Sequence, residues 1–182
     1  MSVSELSTST QNYLKAIWGL KEWSSEPVTA TLIAKQLGLK LSSVSDAVRK
    51  MAKQGLVSHT PYGSVELTEL GRQYALVMVR RHRLLESFLV QALGYTWDEV
   101  HNEAENLEHA VSDMLIERVD KFLDYPTRDP HGDPIPTVDG QITIPSAHRL
   151  TDSGAQSQVT VERISDSDPQ LLKFLEERGI VT

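Results

Sequence analysis

Apolar positions recur at helical spacing along most of this chain, and the polar breaks between them fall where short caps and turns can form. Tyr13, Leu14, Ile17, Trp18 and Leu20 predict a first helix that Ser9 or Thr10 can cap. It should stop ahead of Pro27, because proline disfavours helix in the residue before it. Thr29 then caps a short helix with Leu32, Ile33 and Leu37 inward and Gly38 as its left-handed stop. The next stretch carries Val44, Ala47, Val48 and Met51 on one face and ends at Gly55. Two short helices joined by a tight glycine-containing turn predict a helix-turn-helix. Leu56 to His59, the turn Thr60 to Gly63, and Ser64 to Thr68 read as strand, turn, strand, a hairpin placed like the wing of a winged helix.

Thr68 and Glu69 open a long helix that runs through Leu84, Leu85, Phe88, Leu89 and Leu93 and is stopped by Gly94. Thr96 with Glu99 three residues on forms a capping box for a further helix. Ser112 caps the run D-M-L-I-E-R-V-D-K-F-L, which ends at Tyr125-Pro126. These helices carry apolar surface on more faces than one layer can bury, which predicts a homodimer. From Pro126 to Gly154 the chain turns rich in proline and glycine, the composition of an extended linker or wrapping strap. Beyond it, Gln158 to Ile164 alternates as a strand, and Asp168-Pro169 begins a last helix.

The winged-helix pattern implies contact with double-stranded DNA, its second helix in the major groove. Ser42, Ser43, Ser45 and Asp46 lie in the first turn and outer face of that helix, where short donors and acceptors can reach base edges or phosphates. Lys35, Lys40, Arg49, Lys50, Lys53 and the wing residues His59 and Tyr62 are expected on the phosphate backbone. The net charge of −7 argues against nucleic acid only as an average. Residues 1–72 hold eight Lys/Arg against six Asp/Glu, a balance of +2; the remainder holds ten against nineteen, a balance of −9. A slightly basic head is joined to an acidic body. No apolar run approaches a membrane span, and no secretory signal opens the chain, so a cytoplasmic protein is expected.

The acidic body holds the chemistry. In V-H-N-E-A-E-N-L-E-H-A, His101, Glu105, Glu108 and His109 fall at i, i+4, i+7 and i+8, one stripe of a helix with about 3.6 residues per turn. Val100, Ala104, Leu107 and Val111 follow helical spacing beside them, so the polar stripe borders a buried face. His82 and Glu86 form a second i, i+4 pair upstream. Imidazoles and carboxylates at the edge of a core need a compensating charge, which a divalent cation supplies. The chain has no cysteine, so oxygen and imidazole nitrogen are the only donors, a set that suits manganese or ferrous iron. A metal-dependent hydrolase with Glu105 or Glu108 as general base is the competing reading. The chain lacks an H-E-x-x-H motif, an activated nucleophile and a glycine-rich phosphate loop. His131, His148 and Asp133 lie in the strap and are not expected to be ligands.

The winged helix followed by R-R-H-R-L-L-E, H-N-E-A-E-N-L-E-H-A-V-S-D and D-P-H-G-D-P-I-P resembles the diphtheria toxin repressor family of metal-dependent regulators, from about Thr10 to Pro136. The resemblance implies a mainly α chain. It divides into a winged helix-turn-helix DNA-binding domain (1–72), an all-helical metal-binding and dimerisation domain (73–126), a linker (127–156) and a partial α+β segment (157–182). That last segment would be the start of the SH3-like domain of longer members. It also implies a repressor of metal-uptake genes with two metal sites per subunit. One site would use His82, Glu86 and His101, completed from the C-terminal segment by Asp166, Asp168 or Gln170. The other would use Asn12, Glu105, Glu108 and His109. At the Glu105 position the iron-responsive branch has cysteine and the manganese-responsive branch glutamate, so Mn(II) is the expected cofactor and Fe(II) the alternative. Asn12 stands where methionine or aspartate is usual, and Lys15 where the shorter manganese regulators place a glutamate. Asp133 replaces an asparagine that helps hold an anion in the prototype.

Overall fold

The structure is a computed structural model that describes residues 3–60 and 63–182. It has two compact units, Met1–Val79 and Arg80–Thr182, and the division falls inside one long helix.

In the first unit, α1 (Thr8–Glu22) starts earlier than the sequence pattern places it, by less than one turn. Ser7, not Ser9 or Thr10, is its cap, accepting the Thr10 amide at 3.3 Å. Helices α2 (Ala30–Leu37) and α3 (Leu41–Lys53) follow. Thr29 caps α2 through the Leu32 amide, and Gly38 takes the left-handed φ of 65° that lets the chain turn sharply into α3. Ile33 and Ala34 are the buried residues of α2, whereas Leu32, expected inward, is exposed. In an eight-residue helix a small rotation of the buried stripe decides which flank faces water. The hairpin forms as expected: β1 (Val57–His59) pairs antiparallel with β2 (Val65–Leu67), Val57 opposite Leu67 and His59 opposite Val65. Leu14, Ile17, Ile33, Val44, Val48, Met51, Val65 and Ala75 close the core of this unit.

Helix α4 (Glu69–Leu93) carries the chain into the second unit and stops at Gly94, φ 73°. Helix α5 (Trp97–Leu107) begins with the Thr96/Glu99 capping box, and α6 (Asp113–Phe122) with Ser112 accepting the Leu115 amide. Arg80 to Asp120 and Arg81 to Asp113, both 2.6 Å, tie α4 to α6. Their core is Leu84, Leu85, Leu89, Val100, Ala104, Ile116, Val119 and Ile135. The last helix, α7 (Pro169–Glu176), packs against α5 and buries Leu172.

One expectation fails here. The predicted strand Gln158–Ile164 is not formed among the described residues. Its backbone finds single partners instead, with the Ile164 amide donating to the His131 carbonyl at 2.9 Å. An alternating pattern makes a strand only where a neighbouring edge offers a ladder. Of the two readings of the proline- and glycine-rich stretch, extended linker or wrapping strap, its first part follows the second. Asp129 and residues 131–136 are buried, folded into a tight loop in which the Asp129 carboxylate accepts the His131 and Asp133 amides at 2.8 and 2.9 Å.

Candidate metal centre

Helical spacing puts His82 and Glu86 one turn apart on α4, and His101 and Glu105 one turn apart on α5. Helix α5 ends at Leu107, one residue short of the expected stripe. Glu108 is its C-cap and His109 lies in the following turn. The expected single helix cannot continue because Ser112 already starts α6. The ligand-type side chains converge nonetheless. His82 Nε2 lies 2.9 Å from Glu86 Oε1, and His101 Nδ1 lies 3.4 Å from the same oxygen. Asp166 Oδ2 lies 3.1 Å from His101 Nδ1. The other nitrogen of His82, Nδ1, is 2.6 Å from Glu108 Oε2, and Glu105 Oε1 is 3.9 Å from His101 Nε2. His109 Nε2 is 3.5 Å from the second oxygen of Glu108.

Among the described residues, three groups can each bring their donor atoms within 4.8 Å of one another: His82, Glu86, His101 and Asp166; His82, Glu105 and Glu108; and Glu86, Asp129 and His131. The third was missed in the sequence. Helical periodicity singles out neither Asp129 nor His131, which lie in a proline-rich stretch, yet His131 is 1% exposed with Nδ1 3.8 Å from Glu86 Oε2. The available signal was D-P-H-G-D itself, two carboxylates flanking an imidazole across a proline-glycine turn. Asp168 and Gln170 do not join these groups. The Asp168 carboxylate caps α7 through the Gln170 and Leu171 amides, and Gln170 is exposed. His148 bonds the Ser153 hydroxyl in the outer strap. Asp133 sits between Arg83 and Arg163. Asn12, on α1 in the other unit, has a buried side-chain oxygen that accepts no hydrogen bond among the described residues.

The electrostatics follow from burial and crowding. Burial alone would raise the Glu86 carboxyl, but the charge of His82 and hydrogen bonds with His101, His131 and His82 outweigh it and hold it well below the usual carboxylate range. Burial pulls His101 down, yet Asp166 and Glu86 raise it to about 10. Asp129 is pushed up to about 8 by burial and then by the charges of Glu86 and Asp133. Protons on the histidines offset the carboxylates here, and a divalent cation can take the same role. The donors fit one: they are nitrogen and carboxylate oxygen only, they are largely buried, and they converge.

In the first unit, Lys35, Lys40, Ser42, Ser43, Asp46, Arg49 and Lys50 are exposed on α2, on α3 and in the turn between them. Ser45 is half-buried and donates its hydroxyl to the Leu41 carbonyl at 2.9 Å. Arg49 pairs with Asp46 along the outer face of α3. His59 is half-buried on β1, and Tyr62 lies outside the described residues. No helix among the described residues is long and apolar enough to cross a membrane.

A winged helix with an exposed second helix, followed by a helical unit that gathers imidazoles and carboxylates, defines a metal-dependent DNA-binding regulator. Comparison with known proteins agrees. Residues 5–65 match the family model of the iron-dependent repressor N-terminal DNA-binding domain, and residues 68–137 that of the iron-dependent repressor metal-binding and dimerisation domain. The chain is 35% identical over 191 aligned residues to the iron-dependent repressor IdeR of Mycobacterium tuberculosis, covering 98% of this chain and 83% of the relative. It is 36% identical over 137 residues to the diphtheria toxin repressor of Corynebacterium diphtheriae, covering 75% of this chain and 60% of that one. A solved manganese-dependent transcriptional repressor in complex with manganese is 53% identical with a TM-score of 0.90, covering 94% of this chain and 79% of that one. The chain belongs to the diphtheria toxin repressor family, whose members are metal-dependent transcriptional repressors and not enzymes.

Proposed function

We propose that this chain is a manganese-activated repressor of metal-uptake genes that acts as a homodimer on operator DNA in the cytoplasm. The observation that carries the reading is the carboxylate of Glu105 grouped with Glu108 and His82. A hard oxygen stands where the iron-responsive branch uses sulfur, and hard donors favour manganese. The solved manganese repressor similar to this chain supports the same choice. His82, Glu86, His101 and Asp166 would hold one ion. Glu105, Glu108 and His109 would hold the other, with Asn12 of α1 added by the family pattern. His131 and Asp129 border the first set.

A bound cation supplies positive charge that neutralises these carboxylates and fixes their directions. The residues do the rest. Glu86 and Glu108, buried on α4 and at the end of α5, give the centre its selectivity for a charged ligand. Helix α1, which carries Asn12, packs on α2 of the helix-turn-helix. Metal can favour the DNA-competent state only through its differential affinity for that state. Ser42, Ser43 and Asp46 would read bases, and Lys35, Lys40, Arg49, Lys50, His59 and Tyr62 would meet phosphates.

The test is fluorescence anisotropy on a duplex selected from randomised DNA by the manganese-loaded protein. Chelator-stripped protein is titrated anaerobically with Mn(II), Fe(II) or Zn(II) at one salt concentration. Mn(II) is expected to induce tight binding, Fe(II) weaker binding, and Glu105→Ala neither. Full binding by metal-free Glu105→Ala protein would contradict the reading.

A further inference from the structure

The segment Glu162–Asp166 crosses the loop that holds Asp129 and His131, and its contacts are of unequal kind. Arg163 Nε bonds Asp133 Oδ1, and both side chains are only 8% exposed. The other oxygen of Asp133 lies 3.3 Å from Arg83 Nη2, so one buried carboxylate joins α4 to the crossing segment. One residue on, the Ile164 amide donates to the His131 carbonyl at 2.9 Å, and two residues further Asp166 reaches His101. The crossing is close: a Cβ on Gly132 would lie 2.1 Å from the Glu162 carbonyl oxygen. By contrast Arg128 and Glu162, 2.7 Å apart, pair at the surface with 44% and 41% of their side chains exposed.

We propose that Arg163 is the positioning residue of the Glu86 cluster: by holding Asp133 it seats the segment Glu162–Asp166 so that Asp166 stays on His101, and it thereby sets how fast a divalent cation leaves that cluster. The proposal rests on the reading that Asp166 completes the first metal site. The partner of Arg163 in this pair, Asp133, is not a member of the His82, Glu86, His101 and Asp166 group. The action of Arg163 passes along three residues of backbone, which the Ile164–His131 hydrogen bond keeps in register. A buried, hydrogen-bonded ion pair resists opening, whereas an exposed pair such as Arg128–Glu162 contributes little.

The experiment follows Mn(II) release into excess chelator by stopped flow in full-length protein carrying Glu105→Ala, so that the first cluster alone reports. Hydrogen exchange of the Ile164 amide is read in parallel on the metal-free protein. Arg163→Ala is expected to speed release by about tenfold or more, corresponding to about 1.4 kcal/mol, and to speed Ile164 exchange while α5 amides stay protected. Arg163→Lys, which keeps the charge, should recover much of both. Arg128→Ala should change release by less than about twofold, as for an exposed ion pair. Release from Arg163→Ala indistinguishable from its parent, or an equal effect of Arg128→Ala, would overturn the proposal. Asp166→Ala separates the two layers. If it leaves Mn(II) affinity unchanged, the ligand reading falls and the proposal with it; if it weakens affinity while Arg163→Ala is silent, the positioning role alone falls.

Discussion

His101 shows how a single side chain links charge to metal. Asp166 and Glu86 hold its pKa at about 10 against the pull of burial, so at neutral pH the cation-free ring is protonated. A cation binding at Nδ1 must displace that proton, and metal affinity at such a site therefore depends on pH. The sign is fixed: the proton competes below the raised pKa and ceases to compete above it. In Glu105→Ala protein, Mn(II) affinity should rise by about one decade per pH unit between roughly pH 6 and 8, the slope of one displaced proton. Calorimetry in buffers of different ionisation enthalpy would count it. No proton released at pH 7 would mean that His101 is not a ligand. At the same scale, Glu86→Gln keeps the shape of the side chain but removes the charge that faces His82, His101 and His131. It should weaken Mn(II) binding at this cluster by 10-fold or more, on the order of the losses seen when groups around a metal are changed. Equilibrium dialysis against Mn(II) would read it, and an unchanged constant would remove Glu86 from the site.

Between elements the tightest constraint is where α4 leaves the hairpin. Gly71 lies in its first turn, and a Cβ there would fall 1.9 Å from the Leu56 carbonyl oxygen, a backbone atom that cannot swing aside. Gly71→Ala should therefore destabilise by ~1–3 kcal/mol, the usual scale of overpacking. Thermal unfolding should show a fall on the order of 3–10 °C. Gly19→Ala is the counterpart: nothing lies within 4 Å of a Cβ placed there, in the last turn of α1, so the exchange should be neutral or stabilising by up to about 1 kcal/mol. Equal losses in both variants would refute the packing argument. These elements also mark what was legible in the sequence. Caps are local chemistry, so Thr29, Thr96, Ser112 and Asp168 announced their helices. His82, Glu86, His101, Glu105 and Glu108 were legible because two helical periods align them. The Asp129–His131 loop was not, since its burial depends on α4 and on the segment around Ile164, distant in sequence. The missing strand at Gln158–Ile164 is the converse case, a pattern with no edge to pair with.

Over the whole molecule, charge and apolar surface are sorted by unit. Residues 73–79 carry no charge, so the balance of +2 belongs to the unit ending at Val79 and that of −9 to the unit from Arg80 onward. Phosphate attraction then resides in the first unit, and the acidic unit has cations as its natural ligands. The acidic unit still exposes apolar side chains on α6: Met114 at 62%, Leu115 at 45% and Phe122 at 67%. Spaced at i, i+1 and i+8, they share one face. A symmetric dimer would bury that face against its own copy, in keeping with the dimerisation domain this region matches. The double change Met114→Glu and Leu115→Glu places like charges opposite each other in such an interface while touching no core residue of the protomer. Analytical ultracentrifugation should then find monomers with unchanged helix content by circular dichroism. Each monomer can occupy one half-site only, so DNA affinity should fall by about 100-fold or more, the usual scale of lost bivalency. Mn(II) binding should persist, since the Glu86 cluster lies within one protomer. A variant that stays dimeric would move the interface off α6, whereas a monomer that binds DNA as tightly as its parent would remove the need for two recognition helices.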